Sequence, residues 1–285
     1  VLTLGATFLS VVGLVATATT AAASSGGTRI PTAPKSPKLA AEVPASVRAK
    51  AVIAVAMDAT YPPDEFVAAN GQIVGMDVDL MQAIAQVLGL KPTYENVEFG
   101  TIITGILASR YDIGMSSFTD EKSREKQVDF VDYFKAGEAF YVSANSKFSL
   151  NGLKSLCGHS VSVELGTTEW SDAESQAKKC HVNVGTYDTQ SEANLAVSSG
   201  RYQIGFADSQ VAAYIVAQSH GQFKLSGKAF ETAPYGIALP KNGMATPVLG
   251  AVKELMADGI YMKILDKWGI EAGAISKPVI NGATS

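Results

Sequence analysis

The pentapeptide Arg110-Tyr-Asp-Ile-Gly114 returns as Arg201-Tyr-Gln-Ile-Gly205, each copy preceded by a helical segment and a small residue. A recurring unit of helix, turn and short apolar strand implies two α/β units of similar layout within one chain. After the shared Ile-Gly the two copies diverge in chemistry. The first runs into Ser116, Ser117 and Thr119, with Arg124 five residues further on, and the second runs into Asp208. In open α/β sheets the carboxyl ends of the strands are where ligands bind. An arginine fork with neighbouring hydroxyls suits an anion, and a carboxylate suits a cation. The two halves thus carry complementary charge at equivalent places.

The run Gly75-Met-Asp-Val-Asp-Leu-Met-Gln-Ala-Ile-Ala-Gln-Val-Leu-Gly89 predicts an amphipathic helix. Leu80, Ile84, Val87 and Leu88 recur at helical spacing, Gln82 and Gln86 fall on the other face, and Gly89 is the stop. Asp77 and Asp79 are expected to accept from free amides of the first turn and to complement the helix dipole. A second amphipathic stretch, Val248 to Trp268, is expected to pack as the last helix.

With 285 residues, 47% hydrophobic and 18% charged, the chain can bury two modest cores. Its net charge of −4 is spread without a basic run, which argues against nucleic acid as a partner. Residues 1–23 are apolar and small, ending Thr20-Ala-Ala-Ala23, and read as a secretory signal peptide, although no Lys or Arg precedes the apolar stretch. Residues 24–46, with Pro31, Pro34, Pro37 and Pro44, read as a disordered linker, and folded sequence is expected from Val47. No Cys lies near the cleavage region, so a lipid anchor has no support. The two cysteines, Cys157 and Cys180, read as a disulfide in an exported protein. The three histidines lack ligand spacing, and neither a phosphate-binding glycine loop nor a Gly-x-Ser-x-Gly nucleophile motif occurs, so no cofactor and no metal is expected.

From about Val52 to Trp268 the chain resembles the extracellular solute-binding proteins of polar amino-acid ABC importers, the family that includes the histidine-, lysine/arginine/ornithine- and glutamine-binding proteins. The resemblance rests on Gly75-Met-Asp-Val-Asp-Leu80, on Ser116-Ser-Phe-Thr119 followed by Arg124, on Gly166-Thr-Thr-Glu169 and on Asp208. It implies a two-lobed periplasmic-binding-protein-like fold of type II, with two hinge strands and a cleft between the lobes. Lobe one would comprise residues 47–141 and 235–285, and lobe two residues 142–234. The crossings are expected in Glu138–Ser143 and Thr232–Ala238.

The resemblance also implies a clamp around a zwitterion. Arg124 would take the α-carboxylate, with Ser116 and Thr119 in the same cradle and the amides of Thr167 and Thr168 assisting. Asp208 and Ser117 would take the α-ammonium. Tyr61 and Phe99 fall where the family places aromatic walls, although Phe99 suits a core position equally well. Asp58 matches a position that touches the far end of the ligand, and Glu164, just before the Gly-Thr-Thr turn, matches one that is apolar in the histidine-binding relative. Two carboxylates near one pocket favour lysine or arginine over glutamine, although Asp58 also suits an amide donor. The expected partners are a free amino acid and the importer's permease subunits, with the binding protein a monomer. An enzyme on the same scaffold, resembling cyclohexadienyl dehydratase, is the alternative, but the named residues all bind charges an amino acid already has and none is an obvious general acid.

Overall fold

The computed structural model describes residues 30–284. The residues read as a signal peptide, and residues 24–29 of the expected linker, lie outside the described part. Among the described residues no helix is long and apolar enough to cross a membrane.

Two short helices, α1 (Pro37–Glu42) and α2 (Ala45–Lys50), precede strand β1 (Val52–Met57). A three-stranded antiparallel sheet follows, formed by β2 (Thr60–Tyr61), β3 (Glu65–Val67) and β4 (Ile73–Val74), and leads to α3 (Met76–Leu88). Next come β5 (Lys91–Asn96), α4 (Ile102–Leu107), β6 (Ile113–Gly114), α5 (Lys122–Glu125) and the long strand β7 (Asp129–Ser143). The second unit contains β8 (Ser160–Glu164), α6 (Thr168–Ala177), β9 (Asn183–Tyr187), α7 (Gln190–Ser198), β10 (Ile204–Asp208) and α8 (Ser209–Gln218). Strand β11 (Phe223–Leu239) then leads to α9 (Ala245–Ala257) and α10 (Ile260–Trp268).

One sheet runs through both lobes in the order β5-β1-β6-β11-β7-β10-β8-β9. The repeated Ile-Gly opens β6 in the first unit and β10 in the second, and each of these strands lies beside one of the two long strands. The sequence repeat therefore marks equivalent positions on either side of the pair that joins the lobes. Near lobe one, Asp129–Phe134 of β7 pairs with Tyr235–Leu239 of β11, and in lobe two Phe140–Ser143 pairs with Phe223–Ser226. Register shifts separate these blocks, between Ser226 and Phe230 and again between Phe230 and Ala233. A bulged two-strand ribbon bends more readily than a regular ladder, which makes this stretch the hinge.

The first crossing thus lies near Ala136–Glu138, earlier than the expected Glu138–Ser143. Phe140 and Val142 already pack in the lobe-two core with Val161, Val163 and Phe206. The lobe-one core gathers Ile53, Val55, Leu80, Ile84, Val252, Leu255 and Ile264. Helix α3 ends as expected, with Gly89 in the left-handed region at φ 68°. The stretch from Val248 to Trp268 is two helices rather than one, because the chain turns at Asp258 and Gly259, the latter at φ 70°.

The linker reading fails for residues 30–46. Leu39 and Val43 are buried in the lobe-one core together with Val47. The Ser36 amide donates to the Val87 carbonyl at 2.9 Å, and the Ala33 amide to Gln86 Oε1 at 2.7 Å. Pro37 begins α1, where a missing N–H costs nothing. The prolines here start helices and turn the chain over α3 and α9 instead of keeping it loose. Cys157 and Cys180 are joined by a disulfide, with Cα atoms 5.7 Å apart.

Candidate ligand-binding cleft

The lobe-one wall is built on the end of β6. Ser117 sits in the left-handed region at φ 50°, and its amide donates to Asp77 Oδ2 at 3.0 Å. The same carboxylate accepts from the Tyr133 hydroxyl at 2.7 Å. Asp77 makes no side-chain cap on its own helix. It reaches across to hold the strand end instead, which corrects the expectation of a local cap. Asp79 is turned outward and accepts from Lys267 Nζ at 2.6 Å and Trp268 Nε1 at 2.7 Å. The Ser116 hydroxyl donates to Glu65 Oε1 at 2.8 Å and accepts from the Asp58 amide at 2.9 Å. The Ser117 hydroxyl donates to Asp64 Oδ2 at 3.1 Å. Both hydroxyls are thereby fixed from behind by buried carboxyls.

Arg124 extends from α5 into the cleft with its side chain only 11% exposed. Its Nη1 donates to the Thr119 carbonyl at 2.8 Å, its Nη2 to the Gly166 carbonyl at 3.0 Å, and its Nε lies 3.1 Å from Glu121 Oε2. The guanidinium carbon stands 5.6 Å from the centres of both the Phe99 and Phe118 rings, a cation–π arrangement that holds the plane of the fork. Phe99 also stacks on Phe118 with ring centres 4.5 Å apart, so it belongs to both the core and the cleft.

Lobe two contributes the turn before α6 and the end of β10. Thr167 caps α6, its hydroxyl accepting from the Trp170 amide at 3.1 Å and donating to the Glu164 carbonyl at 2.8 Å. The N-terminus of α6 thus borders the cleft, a favourable place for an anion, and the Glu169 carboxyl accepts from its own amide there. Gly166, at φ +85°, would bring an added Cβ within 3.1 Å of Gly100 Cα, so a side chain there would be strained and would press the two lobes apart. Asp208 Oδ2 accepts from the Tyr61 hydroxyl at 2.8 Å, and the Asp208 amide donates to the same hydroxyl at 3.0 Å. Further bonds cross the cleft from the Gln190 amide to Thr60 Oγ1 at 3.2 Å and from Gln210 Nε2 to Asp64 Oδ2 at 2.7 Å. The lobes are closed on one another.

The closed walls meet around a narrow cleft. All eleven side chains singled out in the sequence line it, namely Asp58, Tyr61, Phe99, Ser116, Ser117, Thr119, Arg124, Glu164, Thr167, Thr168 and Asp208. Glu65 and Glu169 join them. Glu169 follows the Gly-Thr-Thr turn and was visible as part of that motif without a role. Glu65 had no sequence signal, since its burial depends on β3 folding against the end of β6.

Five carboxyls and one guanidinium therefore face one enclosed space. Burial pushes Asp208 up to about 7 and Glu169 to about 8, in each case against a nearby Arg124 that pulls the other way. Burial, and then the neighbouring Asp58 charge, holds Glu164 well above the usual carboxylate range, and burial raises Asp58 too. Glu164 Oε1 and Glu169 Oε1 have no hydrogen-bond donor among the described residues. Buried acceptors without donors are costly, and a ligand rich in N–H groups relieves that cost.

Comparison with known proteins agrees with this chemistry. A model of bacterial extracellular solute-binding proteins, family 3, matches residues 53–271. The arginine-binding protein ArgT of Corynebacterium glutamicum is 30% identical over 253 residues, covering 86% of this chain and 83% of that protein. The ABC transporter glutamine-binding protein GlnH of Bacillus subtilis is 30% identical over 206 residues, covering 70% of this chain and 74% of that protein. A solved structure of an ancestral arginine-binding protein bound to arginine superposes with a TM-score of 0.74 at 36% identity, covering 76% of this chain and 98% of the other. These relatives are named as binding proteins.

Proposed function

The chain belongs to the bacterial extracellular solute-binding proteins of family 3, and from that membership we propose that it captures a cationic L-amino acid, arginine first, for an ABC importer. It is a binding component and not an enzyme, as its relatives are. The observation that carries the choice of ligand is the charge of the cleft: five carboxyls against one guanidinium, two of them with an oxygen that has no donor.

In this reading the α-carboxylate lies between Arg124, Thr119 and the first amides of α6. Three of the five N–H groups of Arg124 already have partners, so the incoming carboxylate takes the remaining ones or replaces the Gly166 carbonyl. The α-ammonium is held by Asp208, with the Ser117 hydroxyl as a further acceptor and Glu169 nearby. Asp58 and Glu164 come from opposite walls and touch one another in the closed cleft, and they take the far end of the ligand, whose guanidinium fork replaces that contact and serves both carboxylates at once. Tyr61 and Phe99 flank the stem between. The protein acts outside the cytoplasmic membrane as a monomer and delivers its ligand to the permease subunits.

Calorimetry with a panel of arginine, lysine, histidine and glutamine, on protein unfolded and refolded to strip carried-over ligand, tests this. Arginine should bind tightest, and Glu164→Gln should weaken arginine and lysine more than glutamine. A parent protein that binds glutamine as tightly as arginine, or equal losses for every ligand in the variant, would overturn the assignment.

A further inference from the structure

Behind the ligand cleft, where the two long strands change lobes, lies a second cavity. Five acids line it: Glu121 and Asp208 at the edge shared with the ligand cleft, and Glu138 on β7, Glu231 on β11 and Asp172 on α6, which bring together both hinge strands and the first helix of lobe two. One carboxylate oxygen from each of these last three lies within 4.8 Å of the others. A hard cation such as calcium holds oxygens at about 2.3–2.6 Å, so oxygens up to roughly 5 Å apart share one ion. Hydroxyls of Thr168, Ser171 and Thr232 line the same space as neutral oxygen donors, and no Lys, Arg or His lines it among the described residues.

A cluster of acids can be solvated surface, but this one contains a member that is not. Glu138 is 4% exposed, and its Oε2 has no hydrogen-bond donor among the described residues. It stands in the middle of the sheet, paired with Asp208 of β10 on one side and with Phe230 of β11 on the other. A buried carboxylate needs a cation, a donor or a proton. Asp172 and Glu231 are in hydrogen-bond contact with each other, which without a cation requires a proton shared between them.

We propose that Glu138, Asp172 and Glu231 bind a divalent cation, calcium foremost, at the pivot between the lobes. The ion bridges both hinge strands and the first helix of lobe two, and it sits one wall away from the amino-acid cleft, since Thr119, Thr168 and Asp208 line both cavities. The assignment stands on the hinge carboxyls alone and does not depend on which amino acid the cleft takes.

The test uses the full chain, stripped of amino acid and of metal by chelation, titrated with calcium chloride and with sodium chloride at matched ionic strength. Calorimetry should show one saturable calcium site with a dissociation constant on the order of 10⁻⁴–10⁻³ M, the range of extracellular calcium modules. The thermal midpoint should rise with calcium beyond the sodium control. Glu138→Gln and Asp172→Asn should each weaken the site at least tenfold. Glu231→Gln, at an exposed position, should do the same and serves if burial makes Glu138→Gln fold poorly. The proposal is overturned if calcium gives no saturable heat and no more stabilisation than sodium, or if folded Asp172→Asn and Glu231→Gln proteins bind calcium like the parent.

Discussion

Arg124 and Asp208 are the residues on which the clamp turns. Truncating one member of a buried charge pair leaves its opposite unpaired and costs roughly 2–5 kcal/mol. At about 1.4 kcal/mol per tenfold, Arg124→Ala should weaken arginine binding some thirtyfold to several thousandfold by calorimetry. Binding within about threefold of the parent would place the site elsewhere. Acidity offers a second test. Buried carboxyls raised to about 7 at Asp208 and about 8 at Glu169 are protonated more readily in the fold than in the unfolded chain, where roughly 4 is usual. Their stabilising protons are fully bound below the unfolded value and are lost as pH rises through 7 to 8. The thermal midpoint of ligand-free protein should therefore fall as pH rises from about 4 to about 8 and level off above that, and the rise produced by arginine should grow over the same range. A flat profile would mean these acids are not buried together. Sequence reading reached the lining residues because strand ends and the Gly-Thr-Thr turn carry local signals. It missed Glu65, and misread Asp77 as a helix cap, because both meet their partners only through tertiary contact with the end of β6.

Among the elements, the N-terminal segment departs furthest from expectation. Its prolines suggested a loose tether, yet Leu39, Val43 and Val47 recur every four residues and face the core. That spacing was legible beneath the prolines, and Pro37 at the first helical position agrees with it. Composition outweighed periodicity in the reading, which is the wrong order for a short segment with an apolar stripe. The consequence is measurable. Leu39 is buried against α9, and trimming such a side chain to alanine costs about 2–5 kcal/mol. Leu39→Ala should lower the denaturant midpoint accordingly, while arginine affinity of the folded fraction stays unchanged. An unaltered midpoint would return residues 30–46 to the status of a tether. The helix α3 and the strand ends of β6 and β10 were readable because each rests on contiguous residues. The exact crossing was not, since it is set by register shifts between β7 and β11 that no short stretch of sequence encodes.

For the whole molecule, closure and charge are one problem. The bonds from Tyr61 to Asp208, from Arg124 to the Gly166 carbonyl and from Gln210 to Asp64 all exist only when the lobes meet. Meeting also brings Asp58, Glu164, Glu169 and Asp208 together around a single guanidinium, beside a Glu65 already buried within lobe one. Burial raises Asp58, Glu164, Glu169 and Asp208 in the closed form, and parting the lobes would return water to the groups that face across the cleft and relieve that shift. The closed form thus binds more protons, so acid favours it and alkali opposes it unless a cation arrives. A cationic ligand substitutes for those protons, and its differential affinity for the closed state shifts the equilibrium. Small-angle X-ray scattering of ligand-free protein should accordingly show a smaller radius of gyration at pH 5.5 than at pH 8.5, with arginine restoring the smaller value at the higher pH. Tyr61→Phe removes a hydroxyl that both donates to and accepts from Asp208 across the cleft. Leaving that buried carboxyl short of a donor costs about 1–3 kcal/mol, so closure should weaken about fivefold or more. The variant should stay more open at every pH and need more arginine to close. If its radius matches the parent's with and without ligand, and the parent's does not change with pH, then lobe closure is not governed by the charge of this cleft.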